Sequence, residues 1–325
     1  MALQSSHTDP NQKALGFQGQ GFDWAQYVKY RPVYPASFYS RLYSYHRSSS
    51  ELNTFNTAHD VGAGAGIVSE HLARQFKNVI VSEPNNDFLA IAKSRLALLF
   101  PGKENAAALT FHAERAENSS VMSATVELIT ISEALHWTDI PATIAEFSRQ
   151  LKPHGTLCIV HYGPIWILDN VAAQTAWEGL FSDVVRKLFS RPGESMEVYR
   201  RSTRVMATGF DNVVFPASDW REGVKRIFTN TGGDRKKLGF ARECEEEEDA
   251  VGVAEGQDQR VFVEDDEDWI VRDCDLTWLQ STFTSYVPGK KVEDDLARWE
   301  EMERALGGKT VTVAWPSVVI LATKR

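Results

Sequence analysis

The sequence predicts a doubly wound α/β fold: a mostly parallel, seven-stranded sheet with helices on both faces and a helical cap. Three observations carry this reading. Short β-rich runs alternate with segments of helical period between Ala58 and His161; the first run ends in an aspartate and closely spaced glycines; and after Tyr162 the pattern loosens into longer helical segments. Such alternation implies parallel strands, because a parallel pair needs a long crossover and a helix supplies it.

The strands are expected at Ala58 to Val61, Val79 to Ser82, Leu109 to His112, Glu127 to Ile131 and Thr156 to His161. Between them, Val68 to Phe76, Phe88 to Leu99 and Pro141 to Leu151 repeat apolar residues at helical spacing. Pro153-His154-Gly155 ends the last of these helices before the fifth strand. Helices follow at Asn170 to Phe189 and Glu197 to Thr208, then a sixth strand at Asn212 to Phe215. Helical period returns at Leu276 to Tyr286 and Val292 to Leu306, and the run from Val311 to Lys324 reads as a closing buried strand with a polar end.

Around this frame, residues 1–21 read as a flexible tail and 22–50 as an N-terminal cap segment dense in Tyr, Arg and Pro. Residues 51–162 form the cofactor-binding half, and 163–325 the rest of the sheet with cap insertions. The acidic stretch from Glu243 to Asp249, continuing to Asp268, reads as a loop or partly disordered insertion, because like charges repel and little there can be buried. An acidic ligand patch is the alternative.

A net charge of -9 argues against a nucleic-acid backbone or an anionic membrane as partner, since both call for a concentrated basic face. Cys158, Cys244 and Cys274 match neither a disulfide framework nor a metal-ligand spacing, so no metal is expected and a reducing compartment is the simplest setting. The polar N-terminus has no signal-peptide run, and nowhere do eighteen apolar residues follow one another. The expected location is the cytoplasm. One sequence leaves the oligomeric state open.

The loop Asp60-Val61-Gly62-Ala63-Gly64-Ala65-Gly66 marks a nucleotide-type site at the carboxyl end of the first strand. Its glycines allow a tight turn and a close approach of ligand to bare backbone. A dinucleotide fingerprint would need a small residue at position 67, where Ile67 stands. The spacing instead suits a ligand without a pyrophosphate, whose amino-acid tail lies over the loop. Glu83 ends the second strand some twenty residues on, as expected of a carboxylate that accepts hydrogen bonds from ribose hydroxyls.

With these residues in view, the chain resembles the class I, Rossmann-like methyltransferases of the trans-aconitate methyltransferase-like group. The resemblance rests on the glycine loop, on Tyr27-Val28-Lys29-Tyr30-Arg31-Pro32-Val33-Tyr34-Pro35, Glu83-Pro84-Asn85, Ala113-Glu114, Ala134-Leu135-His136-Trp137, and Leu151-Lys152-Pro153-His154-Gly155. It implies S-adenosyl-L-methionine as cofactor, S-adenosyl-L-homocysteine as product and a small-molecule acceptor. The residues it assigns to the cofactor are Tyr27, Arg31, Asp60, Gly62, Ala63, Gly64, Glu83, Pro84, Ala113, Glu114, Ser132 and Glu133. His112 departs from the group's pattern just before Ala113, and the sequence does not identify the group's tricarboxylate pocket, so the substrate is not carried over.

Methyl transfer needs chiefly alignment and exclusion of water; a base helps only a protonated acceptor. His136 is the candidate base, with a hydrogen-bonded loop-holding role as its alternative. Trp137 and Tyr34 are candidates to touch the acceptor, and Trp166, Trp278 and Tyr286 to wall it, with plain packing the competing reading for each. Trp177, Phe181 and Phe283 belong to the same aromatic set. The expected reaction is O-methylation of a carboxylate or hydroxyl group; a cofactor-binding protein with a non-methylating reaction or a regulatory role is the alternative.

Overall fold

The structure, a computed structural model, describes residues 28–49, 54–101, 108–190, 193–240, 258–287 and 289–325. The expected tail over 1–21, Tyr27 and the acidic run from Glu243 to Asp249 lie outside these residues.

The first five strands form close to where the alternation places them: β1 (Thr57–Val61), β2 (Asn78–Ser82), β3 (Ala108–His112), β4 (Val126–Ser132) and β5 (Leu151–Tyr162). Helices α1 (Ala36–Ser49), α2 (Ile67–Ala73), α3 (Asn86–Leu99) and α4 (Ile140–Gln150) pack around them. Local chemistry starts two of these helices. The Asn85 side chain accepts from the amides of Asp87 and Phe88 to cap α3, and Asp139 accepts from Ala142 N with Pro141 in the first turn of α4.

The remaining elements are β6 (Trp166–Ile167), α5 (Val171–Phe189), α6 (Glu194–Ala207), β7 (Lys225–Thr229), β8 (Gln259–Val263), β9 (Ile270–Cys274), α7 (Leu276–Tyr286), α8 (Leu296–Leu306), β10 (Val311–Ala314) and β11 (Ser317–Thr323). Among the described residues the main sheet has eight strands in the order β3-β2-β1-β4-β5-β11-β7-β8. β1 to β5 are mutually parallel; β11 runs antiparallel to both β5 and β7. A small antiparallel sheet, β6-β10-β9, sits apart. Alternate residues of β4 and β5 face opposite ways: Leu128, Cys158 and Val160 join the core beneath α1, α2 and α3, while Ile129, Ile131, Leu157 and Ile159 join the core beneath α4 and α6. No helix among the described residues is long and apolar enough to cross a membrane.

Four expectations about the elements are corrected. The sheet has eight strands rather than seven, because β8 adds an edge paired in parallel to β7. This edge lies in the stretch read as an acidic loop. Residues 212–215 form no strand; β7 takes that place in the sheet. The reason is Arg226, fully buried in β7, whose guanidinium donates to Phe210 O and Val213 O, both at 2.8 Å, and to Asp258 Oδ2 at 2.5 Å. Those carbonyls therefore serve a side chain instead of a strand partner. The run 311–324 is two strands in two sheets, interrupted at Trp315-Pro316. Finally, β5 begins at Leu151, before Pro153, and a register shift against β4 absorbs the irregular residues, with His154 at φ 67°.

Candidate active site

β1 lies between β2 and β4, so the chain reverses its winding direction at the carboxyl end of β1 and opens a crevice there. A cavity of about 290 Å³ occupies that crevice. Its floor is the glycine loop. Gly62 and Gly64 hold φ of 63° and 54°, left-handed values that favour glycine. A Cβ on Gly62 would stand 2.6 Å from Ala134 Cβ, so the loop and the β4 end touch only because that atom is missing. A Cβ on Gly64 would meet nothing within 4 Å, which leaves its backbone bare.

Glu83 reaches this loop from the end of β2. Its Oε2 accepts from Gly64 N at 3.0 Å and its Oε1 from Asn85 N at 2.9 Å. Each oxygen keeps a further lone-pair site, so the carboxylate can still accept from a vicinal diol. Burial raises its pKa, and the two amide bonds oppose that rise. Asp60 also borders the cavity, but both its oxygens are engaged: Oδ2 accepts from Ser69 Oγ at 2.5 Å and Oδ1 from Thr130 Oγ1 at 2.9 Å. It ties α2 to β4 beneath the loop. Burial pushes its pKa up to about 6 against the pull of those hydroxyls.

The end of β4 supplies the opposite wall. Ser132 and Glu133 line the cavity, and Ser132 Oγ is buried with no hydrogen-bond partner among the described residues. Such an atom fits a site that receives a polar ligand. Glu133 has a left-handed φ of 54°. Its Oε1 accepts from Tyr162 N at 2.6 Å and stands 3.0 Å from His161 Nδ1.

His136 departs from expectation. It is buried, does not line the cavity, and packs behind Trp137 with ring centroids 4.9 Å apart. Burial, reinforced by His161 and Arg31, holds its pKa well below the usual histidine value. An imidazole that resists becoming a cation is poorly suited to take a proton.

Of the other residues singled out in the sequence, Arg31, Tyr34, Ala63, Pro84 and Trp137 line the cavity together with those above. Arg31 is held in place by its donation to Ser285 O at 3.1 Å and by the Tyr286 ring, whose centroid is 3.8 Å from the guanidinium carbon. Ala113 and Glu114 do not line the cavity. The Glu114 carboxylate is taken up by Ser119 Oγ, Ser120 N and Ser120 Oγ; Arg115, Ala116 and Glu117 reach the cavity instead.

Three expected acceptor contacts also fall elsewhere. Trp166 lies under the Lys237 ammonium in the small sheet, Trp278 sits in the first turn of α7, and Tyr286 buttresses Arg31 from behind while donating to Gly163 O. Trp177, Phe181 and Phe283 are buried in the same core as Leu128, Cys158 and Val160. Sequence reasoning missed Asn85, Phe88, Thr138, Tyr162, Val198 and Arg201 as cavity residues. Tyr162 stands one residue past His161, where the sequence pattern ends the fifth strand. Val198 and Arg201, one turn apart on α6, gave no signal because only the packing of α6 brings that face to the crevice.

Comparison with known proteins agrees with this geometry. Residues 59–159 match the family described as "Methyltransferase domain". Over nearly the whole chain, methyltransferase cfoB of Aspergillus candidus is 29% identical across 317 residues, covering 93% of this chain and 94% of that protein. Methyltransferase pgmE of Aspergillus terreus is 27% identical over 317 residues, covering 93% of each. Among solved structures, a protein described as a type II methyltransferase from Anaeromyxobacter dehalogenans superposes with a TM-score of 0.51 at 17% identity, covering 90% of this chain and 97% of that one; this likeness concerns the fold.

Proposed function

We propose that this S-adenosylmethionine-dependent methyltransferase methylates an oxygen, of a hydroxyl or carboxylate group, on a small aromatic or enolic metabolite. The observation that carries the proposal is the cavity itself. Beyond the glycine loop, its wall includes the aromatic and apolar side chains of Tyr34, Trp137, Tyr162 and Val198 beside the polar Arg31, Ser132, Glu133 and Arg201, around a volume of about 290 Å³. Such a space suits a compact organic acceptor and not a polymer. Relatives from fungi that carry methyltransferase names are consistent with a role in secondary metabolism. The motif runs at Tyr27 to Pro35 and Ala134 to Trp137 favour the trans-aconitate methyltransferase-like subgroup.

When bound, S-adenosylmethionine supplies an electrophilic methyl group on a sulfonium. In this reading Glu83 accepts from the ribose hydroxyls, and the backbone at Gly62, Ala63 and Gly64 lies under the amino-acid tail, whose carboxylate Arg31 faces. Pro84, Phe88, Arg115, Ala116 and Glu117 surround the base. Ser132 Oγ offers its free hydrogen-bonding capacity to the same ligand. Tyr34, Trp137 and Tyr162 exclude water and hold the acceptor in line; such alignment is worth up to roughly 7 to 11 kcal/mol.

The test is incubation with isotopically labelled methyl donor and a fractionated metabolite extract, followed by mass spectrometry. The expected result is a product one methyl heavier, with the label on oxygen. Label on nitrogen, carbon or sulfur, or no labelled product across the fractions, would refute the proposal.

A further inference from the structure

We propose that Glu133 is the group that takes the proton from a hydroxyl acceptor. This rests on the O-methylation reading in its hydroxyl form. Four independent features meet at Glu133. It lines the cavity at the carboxyl end of β4, where the fold brings ligand and protein together. Its left-handed backbone, φ 54°, is unfavourable for any residue with a Cβ and turns the chain sharply just past the strand. Its Oε1 is anchored by Tyr162 N, which donates to it at 2.6 Å. Its Oε2 makes no hydrogen bond or ion pair with another described residue.

One carboxylate oxygen is therefore pinned and the other is left to meet ligand, a division of labour suited to proton transfer. His136, the histidine that the sequence pattern singles out, lies behind this wall.

The step balances without a further reactant. The acceptor hydroxyl gives its proton to Glu133 Oε2 while its oxygen bonds to the methyl carbon and the carbon–sulfur bond breaks, leaving a neutral thioether. The protonated carboxyl then returns its proton to water.

The experiment uses the protein saturated with S-adenosylhomocysteine, so that no turnover is needed. 2-Naphthol and naphthalene are titrated as probes, with and without a hydroxyl on one ring system. Wild-type protein is expected to prefer 2-naphthol and, on excitation, to yield naphtholate emission as the hydroxyl proton passes to the carboxylate. Glu133→Gln is expected to lose affinity for 2-naphthol about tenfold, the scale of one charge-assisted hydrogen bond. Its naphthalene affinity should be unchanged and its naphtholate emission lost. Glu133→Gly, which the left-handed backbone accepts without strain, should show the same loss if Gln disturbs folding.

Equal discrimination by wild-type protein and both Glu133 variants would overturn the assignment. Product analysis separates this from the reading beneath it. A labelled methyl ester refutes the hydroxyl reading, whereas a labelled methyl ether formed at the wild-type rate by Glu133→Gln refutes only the role of Glu133.

Discussion

Gly62→Ala combines two costs that the structure allows one to separate. Gly62 sits at φ 63°, so alanine there carries a backbone penalty of about 1 to 2 kcal/mol. The new methyl would also stand 2.6 Å from Ala134 Cβ, and overpacking of that kind costs about 1 to 3 kcal/mol. Gly64→Ala is the control: φ is 54°, yet nothing lies within 4 Å of the added methyl, so only the backbone cost of about 1 to 2 kcal/mol remains. Adding Ala134→Gly to Gly62→Ala should return the steric part, giving a coupling of about 1 to 3 kcal/mol in a double-mutant cycle. Urea denaturation of the four proteins supplies the free energies, and calorimetric titration with S-adenosylhomocysteine should show weakened binding in Gly62→Ala that Ala134→Gly partly restores. If Gly62→Ala is no more destabilising than Gly64→Ala, or if the two sites prove additive, the claim that a missing Cβ brings loop and β4 together is wrong.

Other consequences are equally direct. Burial raises the pKa of Asp60 to about 6 from its ordinary value of 3.8, so the native state holds this proton more tightly than the unfolded chain does. Its contribution to stability is complete below the unfolded pKa and declines as pH rises to the folded one, by about 3 kcal/mol at 1.36 kcal/mol per unit. Asp60→Asn should lack this decline, and urea midpoints of the two proteins from pH 4 to 7 measure it. Arg226→Ala removes donors from Phe210 O and Val213 O and strands Asp258, which should destabilise by about 3 to 5 kcal/mol in equilibrium denaturation; a change under 1 kcal/mol would contradict the buried role of this arginine. His136→Ala should leave the shape of the pH–rate curve as it was, since burial disfavours the cationic form of His136; loss of an ionisation from that curve would restore it as a base.

The sequence by itself determined the local grammar of this protein. Strand and helix alternation from Ala58 to His161, the glycines after Asp60 and the acid at Glu83 were legible because periodicity, turn chemistry and caps are encoded by neighbouring residues. The same locality explains the failures. Lys225–Thr229 did not look like a strand because its buried arginine is satisfied by Phe210, Val213 and Asp258, partners that only the fold assembles. Glu114 stands in the motif Ala113-Glu114, yet adjacency in sequence says nothing about which carboxylate two serines will claim, and they claim this one. His136 looked catalytic beside Trp137, yet the tertiary packing buried one and exposed the other to the cavity. Which side chains meet at the crevice depends on how α6, the β4 end and the cap pack against one another, and burial and hydrogen-bond competition over long sequence separations decide that.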